Sequence, residues 1–183
     1  MGGLFIRINE LRFKRWLDTH ASTLLTASGV KQGAAVLDFG CGSGIYTIPA
    51  AQAVGATGKV YAVDINPAAL DRMERKAERG RLRNIVRIDA SKDDGIPLDD
   101  EAVDLMLLID VLQQIADKEA LLQEAYRLLR PGGVLLIFPM HLAAEAVERL
   151  TIETGLQLQD RLCNGRILVA AKRPLATAAL PGL

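Results

Sequence analysis

A glycine-rich bend constrains this chain more than any other feature. In "VLDFGCGSGIYTIPAA", from Val36 to Ala51, an apolar run ends near an acid, Asp38, passes through Gly40, Gly42 and Gly44, and restarts as a helix. Alternating glycines let the backbone turn sharply and bring bare N–H groups against a ligand, and a helix N-terminus behind such a turn favours negative charge. The strand feeding the turn is apolar on both faces, so it needs parallel neighbours and helices on either side.

The rest of the chain supplies them. "AAVLDF", "KVYAVDI", "NIVRID", "VDLMLLI" and "GVLLIFP" read as strands buried on both faces, separated by helical patterns. The clearest helices are "PAALDRMERKAERG", with Asn66 as N-cap and Pro67 at the first helical position, and "DKEALLQEAYRLLRPGG", opened by Asp117 and closed by Pro-Gly-Gly. This alternation predicts an α/β fold with a doubly wound, mostly parallel sheet. After a helix from about Leu142 to Thr154, "GLQLQDRLC" and "GRILVAAK" are joined by Asn164 and Gly165, which predicts a two-residue hairpin and an antiparallel edge. Leu4 to Ser28 reads as one helix or two lying across the mouth of the sheet. The whole is one domain over 1–173, with a helical cap at 1–29 and a core at 34–173; the tail 174–183 has two prolines, no period, and reads as loose.

Charge and cysteine usage narrow the partners. Lys and Arg together number 22, as do Asp and Glu, so there is no net field to draw nucleic acid or an anionic membrane. Charges interrupt every apolar stretch of "MGGLFIRINELRFKRWLDTH", so neither a signal peptide nor a membrane span is expected. Gly2 invites myristoylation, but Ile6 stands where Ser or Thr is wanted. Cys41 and Cys163 form no disulfide framework, which fits a reducing, cytoplasmic location.

The ligand follows from the acids. Dinucleotide enzymes share the glycine turn, but here the third glycine arrives one residue early, with Ile45 in its expected place. A carboxylate beside a diphosphate would cost about 4 kcal/mol per charge pair at an effective dielectric of 20. Asp38 instead suits a cation. S-adenosylmethionine (SAM) carries an ammonium and a sulfonium for the acid and a carboxylate for the helix N-terminus. Asp64 closes the next strand, where a carboxylate accepts from both hydroxyls of a ribose, though NAD would use it equally well. Asp89 ends the third strand, where it could accept from the adenine amino group while the Ala90 N–H donates to the ring. The C-terminal ends of parallel strands lie side by side, so these acids are expected in one crevice.

On these residues the chain resembles the class I SAM-dependent methyltransferases. "VLDFGCGSG" is similar to the family's first motif, "VYAVDINPAALDRMERKA" to the ribose-binding acid and its helix, "IVRIDA" to the adenine strand, and "LLRPGGVLLIF" to the late Pro-Gly-Gly motif. The resemblance implies a Rossmann-like seven-stranded sheet in the order 3-2-1-4-5-7-6. It assigns the methionine portion to Asp38, Gly40, Gly42 and Gly44, with Cys41 inside the turn as a small packed residue. It gives the ribose to Asp64 and the adenine to Asp89 and Ala90, with Ile65 flanking the ring, Tyr46 lining the pocket and Asp110 at the cofactor, facing the methyl group.

Methyl transfer from a sulfonium is an in-line displacement, so the protein has mainly to align the acceptor and exclude water. Where many relatives carry V-L-H-H, this chain has Gln113 and Gln114 in "DVLQQI". Two candidate bases remain. Asp110 stands at a strand end, where it either acts on an acceptor or caps the next helix; His141 follows the fifth strand, where a lone histidine is commonly a surface or packing residue. His20 is the weaker histidine. No residues have metal-ligand spacing, and the Asn-Pro-Pro-Tyr and Pro-Cys runs of DNA methylation are absent. The basic run "RMERKAERGRLR" is interleaved with Asp71, Glu74 and Glu78, and reads as a solvated face. Only one helix fits between Phe138 and the hairpin, so no lid is inserted there, and the N-terminal segment must cover the site. Its aromatic residues Phe5, Phe13 and Trp16 either wall the substrate or pack in the core, and core packing is expected for Trp16. The expected acceptor is a small molecule, though an open mouth also suits a bulkier one or closure in a homodimer. Two other readings stay open: a SAM-binding module without catalysis, and a nucleotide-dependent oxidoreductase.

Overall fold

Near-continuous apolar runs become strands here because helices cover both faces of the sheet they form. The computed structural model describes residues 2–91 and 95–174, with side chains from residue 8 onward; the tail beyond 174 and the Phe5 side chain lie outside the described residues. Strands β1 (Ala35–Phe39), β2 (Lys59–Asp64), β3 (Ile85–Asp89), β4 (Val103–Ile109) and β5 (Leu129–Phe138) pair in parallel, and β6 (Gln157–Leu162) and β7 (Ile167–Ala171) add an antiparallel edge. The order is β3-β2-β1-β4-β5-β7-β6, as the resemblance implied.

Alternate side chains along each strand serve opposite layers. Leu105 and Leu107 of β4 pack with Val36, Val60 and Leu136 beneath α1 (Gly2–Thr19), α2 (Ala21–Ala27) and α3 (Thr47–Val54). Met106 and Leu108 face the other way, with Leu37, Leu135 and Ile137, toward α5 (Lys118–Leu128) and α6 (Ala144–Glu153). Helix α4 (Pro67–Arg79) buries Leu70 and Met73 against Ala62.

Local signals set most boundaries. The Asn66 side chain accepts from the Ala68 and Ala69 N–H groups at the start of α4, and Asp117 accepts from Ala120 N at the start of α5. The basic face of α4 is solvated, with Arg87 from β3 reaching Asp71 and Glu74 at 2.7 Å. Between β5 and β6 there is one helix, α6, and no inserted lid.

Three expectations change. The β6–β7 connection spans Cys163–Arg166, not two residues: Leu162 pairs with Ile167, and Cys163, Asn164 and Gly165 all take positive φ. The Asn-Gly pair marks the turn, but the left-handed path begins one residue earlier. Pro131, Gly132 and Gly133 lie inside β5, where Gly132 N donates to Lys172 O (2.9 Å) and Lys172 N to Gly133 O (3.0 Å). Trp16 is not core: it is 45% exposed and stacks between Phe13 and His20 on the outside of α1, which buries Leu17 instead.

Gly58, just before β2, stands in a space without room for a side chain: an added Cβ would lie 2.5 Å from Val54 Cβ and 2.7 Å from the Ala34 carbonyl oxygen. Gly58→Ala is expected to cost about 1–3 kcal/mol, as overpacked sites do, read from the urea midpoint at unchanged slope.

Candidate active site

The glycine turn is held from below and from the side. Gly40, Gly42 and Gly44 have φ of +75°, +54° and +81°. A Cβ on Gly40 would come within 2.6 Å of Val111, and one on Gly44 within 2.6 Å of Met73, whereas Gly42 faces open space. The N–H groups of Gly40 and Cys41 both donate to Val63 O, at 2.8 and 3.0 Å. Gly42 N donates to Asp64 Oδ2 (2.7 Å), and Asn66 N to Asp64 Oδ1 (2.8 Å). One carboxylate thus ties the turn after β1 to the cap of α4. Lys76 closes the outside by donating to Ser43 O at 2.7 Å. Cys41 is buried against Ala62, Leu70 and Met73, and burial raises its thiol pKa, so it is an inert packing group.

Asp38 lies deeper, 2% exposed, and its Oδ2 accepts from Thr47 Oγ1 at 2.6 Å. Burial pushes its carboxyl from 3.8 up to about 6 against the opposing Thr47 hydrogen bond, and the charge of Asp64 adds to the rise. Tyr46, also buried, donates to Asp18 Oδ1 at 2.9 Å. The same oxygen holds Lys14 Nζ at 2.6 Å, and that ammonium is 3.9 Å from Asp110 Oδ2 and 5.6 Å from the centre of the Tyr46 ring. Helix α1 therefore inserts a cation among the acids. Lys14 and Asp18 escape sequence reasoning because an i,i+4 pair on an amphipathic helix looks like surface decoration; only the packing of α1 over the strand ends gives it a place.

A cavity of about 220 Å³ opens above the strand ends, lined by Gly40, Asp64, Ile65, Ala90 and Asp110, with Gln114 and Ile115 at its far wall. Five of the residues expected at the cofactor are thus brought together. Asp38, Gly42, Gly44 and Tyr46 are not in that wall; they form the turn and the layer under α1 beside it. Asp89, in register with Asp64, is exposed at the end of β3 and accepts from Ser91 N at 3.0 Å. The role expected for the Ala90 N–H does not fit: it donates to Asp64 O at 3.0 Å, extending the ladder between β2 and β3, and so is already engaged.

The two candidate bases stand apart. Asp110 has φ of +59° and caps no helix; the short 3₁₀ turn Leu112–Gln114 has no side-chain cap. Gln113 instead folds back, donating to Asp110 Oδ1 at 2.7 Å, and its own Oε1 is buried without a partner among the described residues. His141, at φ +64°, meets Glu10 of α1 through Nδ1 at 2.6 Å. It does not line the cavity at the strand ends. His20 stacks on Trp16 at 4.3 Å and bonds its carbonyl.

The donor set fits a cationic nucleoside better than a diphosphate. Asp38, Asp64 and Asp110 repel phosphate, the open face of Gly42 leaves the backbone accessible, and the nearby cations Lys14 and Lys76 are engaged by Asp18 and Ser43. Among the described residues no cluster of His, Cys, Asp and Glu could hold a metal, and no helix is long and apolar enough to cross a membrane.

The fold and family are shared with known proteins. A SAM-dependent methyltransferase from Aquifex aeolicus superposes with a TM-score of 0.74 at 24% identity, over 84% of this chain and 90% of its own. The [4+2]-cyclase SpnF superposes at 0.72 with 16% identity, over 86% and 82%. At such identities both show the fold alone, which is that of the SAM-dependent methyltransferases. In sequence, the Escherichia coli O1:K1 protein UbiE, a ubiquinone/menaquinone biosynthesis C-methyltransferase, is 36% identical over 118 residues, 62% of this chain and 45% of that one, so the chain spans about half the length of this relative. The family model of a methyltransferase domain matches residues 30–163, and the chain belongs to that family, among the class I SAM-dependent methyltransferases.

The raised Asp38 pKa has a sign that can be checked. Between pH 3.8 and about 6 the folded chain keeps a proton that the unfolded chain has lost, so stability falls as pH rises through that window. Without ligand, Asp38→Asn is expected to be more stable than the wild type at about pH 7.5, by up to about 3 kcal/mol, with the gap closing toward about pH 4 in urea unfolding.

Proposed function

We propose that this protein transfers the methyl group of SAM to a small-molecule acceptor held between α1 and the ends of β4 and β5. The observation that carries this reading is the ring of acids, Asp38, Asp64 and Asp110, around a glycine turn and a cavity at the C-terminal ends of parallel strands. When bound, the sulfonium supplies a methyl group already activated for displacement. The chain's part is to bind, orient and keep out water.

In this reading Asp64 binds the ribose diol, Ile65 flanks the adenine, and Asp89 accepts from the adenine amino group. Asp38, the glycine turn and the start of α3 hold the methionine end, with Tyr46 at the cap of α3 and Lys14 from α1 closing it. Asp110, held by Gln113, orients an acceptor beside the cofactor, and His141, held by Glu10, takes a proton from it. A small acceptor is favoured because one short helix, α6, is all that stands between β5 and β6, and because the UbiE relative is named as a C-methyltransferase of ubiquinone and menaquinone biosynthesis. Both cysteines are free, which fits the reducing cytosol.

A second reading, a SAM-binding module without turnover, is favoured by one observation: the Gln113 amide occupies the carboxylate that would act on the acceptor. Methyl-labelled SAM incubated with cell extract separates the two, since labelled product requires catalysis.

Titration calorimetry tests the site itself. SAM and its demethylated product are expected to bind and NADH not to bind; Asp64→Ala should weaken SAM at least tenfold. Because a cation is best met by ionised Asp38, SAM affinity should rise with pH up to about 6–7 and then level off, and Asp38→Asn should be weaker and flat. Tight NADH binding, or full SAM affinity in Asp64→Ala, overturns the assignment.

A further inference from the structure

A second cavity, of about 350 Å³, lies on the other side of β5, and nothing in the cofactor assignment uses it. Its walls come from α1 (Asn9, Glu10, Phe13), from the end of β5 and the residues after it (Phe138, Pro139, Leu142), and from the β6–β7 turn, where Arg166 stands. The size is at the lower end of small-ligand pockets, enough for one or two rings.

The cavity adjoins the cofactor cavity. Phe138 lines one and Asp110 the other, Ile109 and Phe138 are in register, and the Asp110 N–H points to the Phe138 carbonyl oxygen at 3.4 Å. Neighbouring strands are about 4.8 Å apart, so the two spaces are separated by little more than one strand spacing.

Its lining is chemically specific. Phe13 and Phe138 make an aromatic corner, with ring centres 5.3 Å apart and planes at 67°. Such a corner accepts a flat ring edge-on or stacked. The Arg166 guanidinium sits 4.6 Å from the centre of the Phe13 ring. Among the described residues no hydrogen bond or ion pair engages it, so its donors are available at the edge of an apolar wall. Glu10 is the lining carboxylate, and it is turned to His141 at 2.6 Å. That leaves Arg166 as the cationic side chain of this lining, in the planar form that best recognises carboxylate or phenolate oxygen.

We infer that this cavity is the acceptor site and that it takes a planar aromatic molecule bearing an anionic oxygen, the ring in the Phe13–Phe138 corner and the anion on Arg166. This rests on the reading of the protein as a methyltransferase with a small acceptor, and adds the acceptor's class. Arg166 acts here as a specificity-determining residue.

The test uses the full chain saturated with S-adenosylhomocysteine and three probes of one shape: 2-naphthoate, 2-naphthamide and 2-naphthylmethylammonium, followed by calorimetry. The naphthoate is expected to bind at least tenfold more tightly than the amide, the ammonium to bind most weakly, and bound S-adenosylhomocysteine to remain in place. Arg166→Gln should erase the preference for naphthoate over amide while leaving S-adenosylhomocysteine affinity within twofold, and Arg166→Lys should restore part of it. Phe13→Ala should weaken naphthoate and amide alike. The inference is overturned by absence of naphthoate binding, by an unchanged preference in Arg166→Gln, by preference for the ammonium, or by displacement of S-adenosylhomocysteine. Failure of S-adenosylhomocysteine itself to bind would instead defeat the methyltransferase reading.

Discussion

The site depends on one carboxylate with two backbone partners. Asp64 accepts from Gly42 N on one oxygen and Asn66 N on the other, so the glycine turn after β1 and the cap of α4 are fixed to the same strand end. Val63 O receives the two N–H groups before it, from Gly40 and Cys41. A three-glycine turn is otherwise a costly segment to order, because glycine loses more backbone freedom on folding than any other residue. Charge-assisted hydrogen bonds from a neighbouring strand supply the compensation, and they set the carboxylate in place before any ligand arrives.

Electrostatics shape the remainder. Several acids converge at the strand ends, and Asp38 is buried well enough to hold its proton up to about pH 6. Helix α1 answers with Lys14, bonded to Asp18 and 3.9 Å from Asp110. That arrangement leaves a pocket suited to a ligand of mixed charge, positive toward Asp38 and negative toward the N-terminus of α3. A polyanion would meet carboxylates on most sides.

Helix caps and the acids at the strand ends were legible in sequence because each rests on a local rule, whereas the strand order came from the family resemblance. Asn66 before Pro67, Asp117 before a helical run, and acids at successive strand ends are readable from neighbours in the chain. What depended on distant neighbours was not. Trp16 has the composition of a core residue, yet on α1 the buried face runs through Leu17, leaving the indole outside. The Ala90 N–H could be assigned to a ligand only until the pairing of β2 with β3 showed that Asp64 O takes it. Lys14, Glu10 and Arg166 carry no motif; they matter because α1 and the β6–β7 turn meet over the end of β5. The hairpin shows the intermediate case: Asn164 and Gly165 mark the turn, while the left-handed Cys163 that lengthens it has no signature of its own.

Phe13 and Lys14 are consecutive on α1, yet one walls the space beyond β5 and the other reaches the acids at β4. One helix thus borders the second cavity and touches an acid of the first. Displacing it would disturb the Phe13–Phe138 corner and the Lys14–Asp110 contact together.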